Sequence, residues 1–151
     1  FPNQQFVIAG KSEGYTIDET IVYKYKKNIT IVPKHLSVEE LVEYISDTKF
    51  IVCPYRDATQ SGVLMTAHAL GKMVVATNVG AFPEYINDDI NGLLSNPDPQ
   101  ALATKIIQAL ENEKYKRLTH NVISSYSEDI GNDNKKRLLS AYQSGGNGFA
   151  A

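Results

Sequence analysis

A chain of 151 residues with 42% hydrophobic and 21% charged content has the length and composition of one globular domain with its own apolar core. Its net charge of −2 excludes the strongly basic field that selects nucleic acid or an anionic membrane surface, and no run of about 18 apolar residues is present to cross a bilayer. The single cysteine, Cys53, excludes an internal disulfide. A lone Cys in an apolar run reads as core and fits a reducing compartment.

The opening FPNQQFVIAG carries no Met, no basic leader and no apolar leader. It reads as a chain entered partway, so the sequence is expected to be a fragment of a longer protein. Residues 5–10, QFVIAG, form an apolar, β-branched run ended by Gly, which predicts a buried strand. A loop and a short helix near 18–27 follow, then a second strand over 28–33, NITIVP, closed by Pro33. Residues 37–48, SVEELVEYISDT, carry the clearest helix pattern. Ser37 is a good N-cap, Glu40 completes a capping box, and Leu41, Tyr44 and Ile45 share one face.

Residues 49–55, KFIVCPY, predict a third strand that is apolar on both faces, as in a parallel sheet. After RDATQSG a helix is expected over about 62–71, ending at Gly71. A fourth strand at 72–78, a Gly- and Pro-marked crossover VGAFPEYI with a short helix, and a fifth strand at 91–96 come next. Asp98 as N-cap and Pro99 at the first helical position open a helix over 98–112. One or two helices follow, and QSGGNGFAA closes the chain as a flexible tail, residues 144–151. Strands alternating with helices imply βαβ units, a parallel sheet and right-handed crossovers. Ligands bind such sheets at the carboxyl ends of the strands, here the loops 33–36, 55–62 and 77–84.

The loop 55–62 has the parts of a phosphate site. Ser61 and Gly62 open a helix whose first turn offers unpaired N–H groups and partial positive charge. Gly62 allows close approach of a ligand, and the hydroxyls of Thr59 and Ser61 can also donate. The plainer reading of the same pattern is a helix cap. His68 lies mid-helix among apolar residues and reads as packed or surface. His35 follows the second strand, and His120 lies in a late helix. No pair among them has metal-ligand spacing, so no metal is expected. No G-x-S-x-G elbow is present, and the charge run NDNKKR reads as a solvated face.

The stretch GKMVVATNVGAFPEYINDDINGLL resembles a motif of the family-4 retaining glycosyltransferases. The upstream order agrees: FVIAG, NITIVP, SVEELVEYISDTKFIVCPY, a loop, the motif, then DPQALATKIIQAL, covering about residues 5–112. The resemblance implies an α/β fold with a Rossmann-like parallel β-sheet flanked by helices. This would be the C-terminal, donor-binding half of a GT-B glycosyltransferase. Residues 1–143 would form this nucleotide-sugar-binding domain, lacking its first βα unit. Such enzymes move a sugar from a nucleotide-sugar to an acceptor with retention, without a bound metal or other cofactor.

By the same resemblance, Thr59, Gln60, Ser61, Gly62 and Val63 hold the donor diphosphate. Pro33, Lys34, His35 and Thr66 lie on the nucleoside side. The family's two glutamates around this loop fall on Ala58 and Thr66, so both carboxylates are absent. The catalytic residues are accordingly unassigned. Polysaccharide-type relatives resemble this chain in carrying ATQSG here. The basic residues that pair with the diphosphate precede FVIAG in the family, and Arg56 is a poor positional substitute.

The implied partners are a nucleotide-sugar donor and, through an N-terminal domain, a glycan or lipid-linked acceptor. That domain would also make any peripheral membrane contact, and nucleic acid is not a partner. The implied location is cytoplasmic, extending to the inner face of the membrane, with a role in polysaccharide or glycan biosynthesis. Two other readings stand beside this one. One is a non-catalytic, degenerate glycosyltransferase-like binding module. The other is a related two-domain fold such as a nucleotide-sugar epimerase, which the VGAFPE…NGLL order suits less well.

Overall fold

The computed structural model describes residues 3–11, 18–57, 59 and 61–129, without the side chains of 19 and 126–129. The chain forms two compact units, Phe1–Leu41 and Val42–Ala151. In the first, strand β1 (Phe6–Ala9) pairs in parallel with β2 (Ile29–Val32), Phe6 opposite Ile29 and Ala9 opposite Val32. Helix α1 (Glu19–Tyr25) connects them, its N-cap Asp18 accepting from the Thr20 N–H at 2.8 Å. Helix α2 (Val38–Asp47) runs through the division between the units. Its capping box forms as expected. The Ser37 N–H donates to the Glu40 carboxylate at 3.0 Å, and the Glu40 N–H donates to Ser37 Oγ at 3.2 Å.

The second unit is built on three parallel strands in sequence order, β3 (Ile51–Cys53), β4 (Val74–Thr77) and β5 (Gly92–Ser95). Between them come helix α3 (Gly62–Ala69) and the single turn α4 (Phe82–Tyr85). Helices α5 (Pro99–Leu110) and α6 (Lys114–Asp129) follow. Alternation along β4 sends Val75 to one face and Val74 and Ala76 to the other, and all three are fully buried. Met73, Val75 and Leu93 meet Phe50, Ala109, Leu118 and Val122 in one apolar cluster, closed by Leu102, Ile106, Leu110 and Tyr115. Helices α5 and α6 thus cover one face of this sheet. Asp98 caps α5 through the Ala101 N–H at 2.9 Å, with Pro99 at its first position. Asn112 and Glu113, at φ 50° and 53°, turn the chain out of α5 and into α6.

Three expectations change. The third strand ends at Cys53 rather than residue 55, because Pro54 has no N–H to continue the ladder. The helix expected to reach residue 112 stops at Leu110, because Glu111 is extended at ψ 132° and Asn112 and Glu113 follow at positive φ. The first strand is not buried: all four residues of β1 are exposed, with Val7 and Ile8 each at 50%. Its two-stranded sheet gives it one neighbour in place of two. The expected tail at 144–151, the 143 boundary and the NDNKKR run lie outside the described residues.

Candidate functional site

The site in the second unit is assembled from the end of β3 outward. Cys53 is buried, and burial pushes its thiol up to about 12, so it is a core residue and no nucleophile at neutral pH. Beyond it, Thr77 at the end of β4 replaces the ladder that Pro54 interrupts. Its hydroxyl donates to the Tyr55 carbonyl at 2.5 Å and lies 3.5 Å from that of Cys53. The Tyr55 ring rests on Phe82, centroids 5.4 Å apart and tilted by 56°, and Phe82 is itself 1% exposed. Burial raises the Tyr55 pKa, a neighbouring Cys53 adds to the rise, and a hydrogen bond with Ser61 opposes it. The FPE turn after the fourth strand therefore braces the entry to the loop after the third.

Across the loop, Arg56, Asp57 and Thr59 are exposed, while Ala58 and Gln60 lie outside the described residues. Ser61 has extended backbone, φ −129° and ψ 104°, as an N-cap requires. Its Oγ accepts from the Leu64 N–H at 3.2 Å and its carbonyl from the Met65 N–H at 3.2 Å. The remaining donors of the first turn are the N–H groups of Gly62 and Val63, with Gly62 exposed and no acidic side chain in that turn. Cap and cradle are thus compatible: the serine side chain takes the Leu64 N–H, and the Gly62 and Val63 N–H groups have no acceptor within the helix.

Thr66 lies one turn further on, 6% exposed, its hydroxyl donating to the Gly62 carbonyl at 2.8 Å. His68 is 5% exposed, and burial lowers its pKa to about 4, which keeps it neutral at physiological pH. In the first unit, Pro33, Lys34 and His35 lie together on an exposed loop after β2. The Lys34 N–H donates to the Val32 carbonyl at 2.9 Å, and its ammonium pairs with Glu40. His120 is exposed on α6. Among the described residues, no group of three or more His, Cys, Asp or Glu side chains is placed to hold a metal, and no helix is long and apolar enough to cross a membrane.

Sequence reasoning missed Tyr55, Thr77 and Phe82, which brace the start of the loop. A signal was present: a Thr ending an otherwise apolar strand, VVAT, has a hydroxyl to satisfy, and Phe82 directly precedes the Pro83–Glu84 pair.

Parallel strands linked by helices, with a capped helix N-terminus at the carboxyl end of β3, define a Rossmann-like α/β domain. The chain belongs to the glycosyl transferases group 1 family, whose model matches residues 2–112. No curated protein sequence matches it. Among solved structures it is similar to sucrose-phosphate synthase from Thermosynechococcus elongatus, at 24% identity and TM-score 0.69 over 93% of this chain and 38% of that one. It is also similar to the C-terminal domain of the group 1 glycosyl transferase LpcC from Francisella tularensis, at 23% identity and TM-score 0.64, covering 74% of this chain and 59% of that one. HepE of Anabaena in complex with UDP aligns at 18% identity and TM-score 0.62, over 83% of this chain and 35% of that one. The chain therefore spans less than two thirds of the length of each of these structures.

Proposed function

We propose that this domain binds the donor of a retaining glycosyltransferase, a nucleotide-diphosphate-sugar, with the diphosphate on the first turn of α3. One observation carries the reading: among the described residues the Gly62 and Val63 N–H groups have no acceptor, beside the capped Leu64 and at the carboxyl end of a parallel strand. HepE, a structural relative, has been solved with UDP and with UDP-glucose. As the bond from the sugar's anomeric carbon to the diphosphate oxygen breaks, negative charge gathers on the diphosphate. Fixed N–H donors at a helix N-terminus stabilise that charge without needing a metal. Thr59, Gln60 and Ser61 border the same anion, while Pro33, Lys34, His35 and Thr66 are assigned to the nucleoside.

The acceptor, a glycan or lipid-linked sugar, falls to an N-terminal domain, as does any contact with the inner face of the membrane. Polysaccharide or glycan synthesis in the cytoplasm is the role that fits this donor chemistry. The isolated domain is accordingly expected to bind donor without transferring sugar. The test is transfer from a panel of nucleotide-sugars by the full-length enzyme, with amide exchange at 59–63 followed as UDP, ADP or GDP is added. Absence of both transfer and protection removes the proposal.

Thr66 favours a second reading. Its hydroxyl, 6% exposed, gives its one proton to the Gly62 carbonyl and can serve a ribose only as an acceptor, where the family has a carboxylate; a non-catalytic, degenerate module would allow this. If the native domain binds no nucleotide and Ala58→Glu with Thr66→Glu creates binding, this second reading replaces the first.

A further inference from the structure

Tyr55 and Ser61 bound the loop between β3 and α3, and Arg56, Asp57 and Thr59 between them are exposed. The two ends differ from the loop they enclose. Ser61 is buried, Tyr55 is partly buried, and their side chains are hydrogen-bonded to one another across the base of the loop. A serine hydroxyl has one proton and two lone pairs. One lone pair of Ser61 takes the Leu64 N–H at 3.2 Å, which leaves the proton and the second lone pair for the phenol. Helix cap and phenol therefore share one oxygen. The phenol is itself held from two sides. The Thr77 hydroxyl donates to the Tyr55 carbonyl at 2.5 Å, and the Tyr55 ring lies against Phe82, centroids 5.4 Å apart. Phe82 is 1% exposed, in a turn whose backbone is bonded in its turn: the Asn78 N–H donates to the Ser95 carbonyl at 2.6 Å and the Phe82 N–H to that of Val79 at 3.3 Å. The body of α3 is anchored separately, with Leu64 at 2% and Ala67 at 0% exposure. Gly62, exposed at its start, has no side chain to pack, so the first turn depends on its cap for its direction.

We propose that Tyr55 is a positioning residue for the donor: standing on Phe82, its hydroxyl holds Ser61 and so sets the direction of the Gly62 and Val63 N–H groups that receive the diphosphate. This rests on the diphosphate being bound by the first turn of α3. Donors already fixed in direction stabilise an anion better than donors that must be ordered as it binds. Removing the phenol hydroxyl leaves every backbone donor in the chain but loosens the turn that carries them. The same relay gives the VGAFPEY crossover a part in donor binding, because Phe82 is the platform on which the phenol is aimed. Its effect reaches the ligand through Ser61 alone, and that sets it apart from a residue that touches the diphosphate.

The test is a double-mutant cycle. The native protein, Tyr55→Phe, Ser61→Ala and the double variant are titrated with inorganic pyrophosphate and followed by the Gly62 and Val63 amide resonances, with Leu93 reporting that each is folded. Tyr55→Phe keeps the ring on Phe82 and loses only the hydroxyl. It should weaken pyrophosphate binding about fivefold, the worth of one hydrogen bond, and should shift the Gly62 and Val63 resonances before any ligand is added. Ser61→Ala should weaken binding at least as much. Adding Tyr55→Phe to Ser61→Ala should then cost nothing further, because the phenol acts through the serine. Losses that multiply in the double variant overturn the proposal and place the phenol on the ligand itself. Phe82→Leu should weaken binding in the native background and leave Tyr55→Phe unchanged, and an equal loss in both backgrounds also overturns the relay. If the native protein and Tyr55→Phe bind pyrophosphate equally, the proposal fails while the diphosphate site stands. If the native protein shows no saturable shift at Gly62 and Val63, the site itself is removed and the proposal with it.

Discussion

β1 and β4 are both runs of small and branched apolar residues, yet one is exposed along its length and the other is sealed. The difference lies in what surrounds each strand. β4 has β3 and β5 on its edges, Leu93 beside Val75 in the cluster under α5 and α6, and α3 toward its other face. β1 has β2 alone. Burial energy comes from area removed from water, so identical side chains stabilise unequally in the two places.

The most direct way to break that comparison is a matched pair of truncations. Leu93→Ala, at 0% exposure, should cost about 2–5 kcal/mol in chemical denaturation. Ile8→Ala, at 50% exposure, should cost less than about 1 kcal/mol in the same chain. Comparable losses would mean that β1 is buried after all. A second probe is Gly92→Ala, where a Cβ would stand 2.6 Å from the Val74 carbonyl oxygen and 2.8 Å from Ile86. Neither the backbone of β4 nor a packed side chain can yield cheaply, so a loss of about 1–3 kcal/mol is expected.

Acid sharpens the comparison without mutation. His68 lies in the second unit with its pKa lowered by burial from 6.5 to about 4. The unfolded chain therefore takes up a proton before the folded one does. The stability this histidine contributes is complete above about pH 6.5 and drains away as pH falls toward 4, by about 2 kcal/mol between pH 7 and pH 5. His68→Gln should flatten that segment of a stability–pH curve, and an unchanged slope would locate the titration elsewhere. Smaller again is Ser61→Ala, which removes the cap on Leu64 and should cost about 1 kcal/mol. Because the proposed diphosphate donors are backbone groups, nucleotide affinity should fall less than with a variant that displaces Gly62.

Much of this architecture is legible in the residues. The capping box at Ser37 and Glu40, the Asp98–Pro99 start and the turn glycine Gly71, at φ +68°, each act through neighbours in sequence and appear where expected. The loop's capped start was legible for the same reason. What could not be read was the bracing: Thr77 reaches the Tyr55 carbonyl from a different strand, and Phe82 supports the Tyr55 ring from a different turn. The exposure of β1 was equally hidden, since an apolar run gives the character of a strand and not what packs against it. Thr66 carries a contact that analogy did not contain, its hydroxyl donating to the Gly62 carbonyl one turn back.

The central claim is that the first turn of α3 receives a diphosphate. Titration of the domain with UDP, inorganic pyrophosphate and uridine, followed by the amide resonances of Gly62 and Val63, tests it directly. The account predicts that UDP and pyrophosphate both shift these two resonances in a saturable way and that uridine does not. If UDP binds while the Gly62 and Val63 amides stay unmoved, the diphosphate lies elsewhere and the account is wrong.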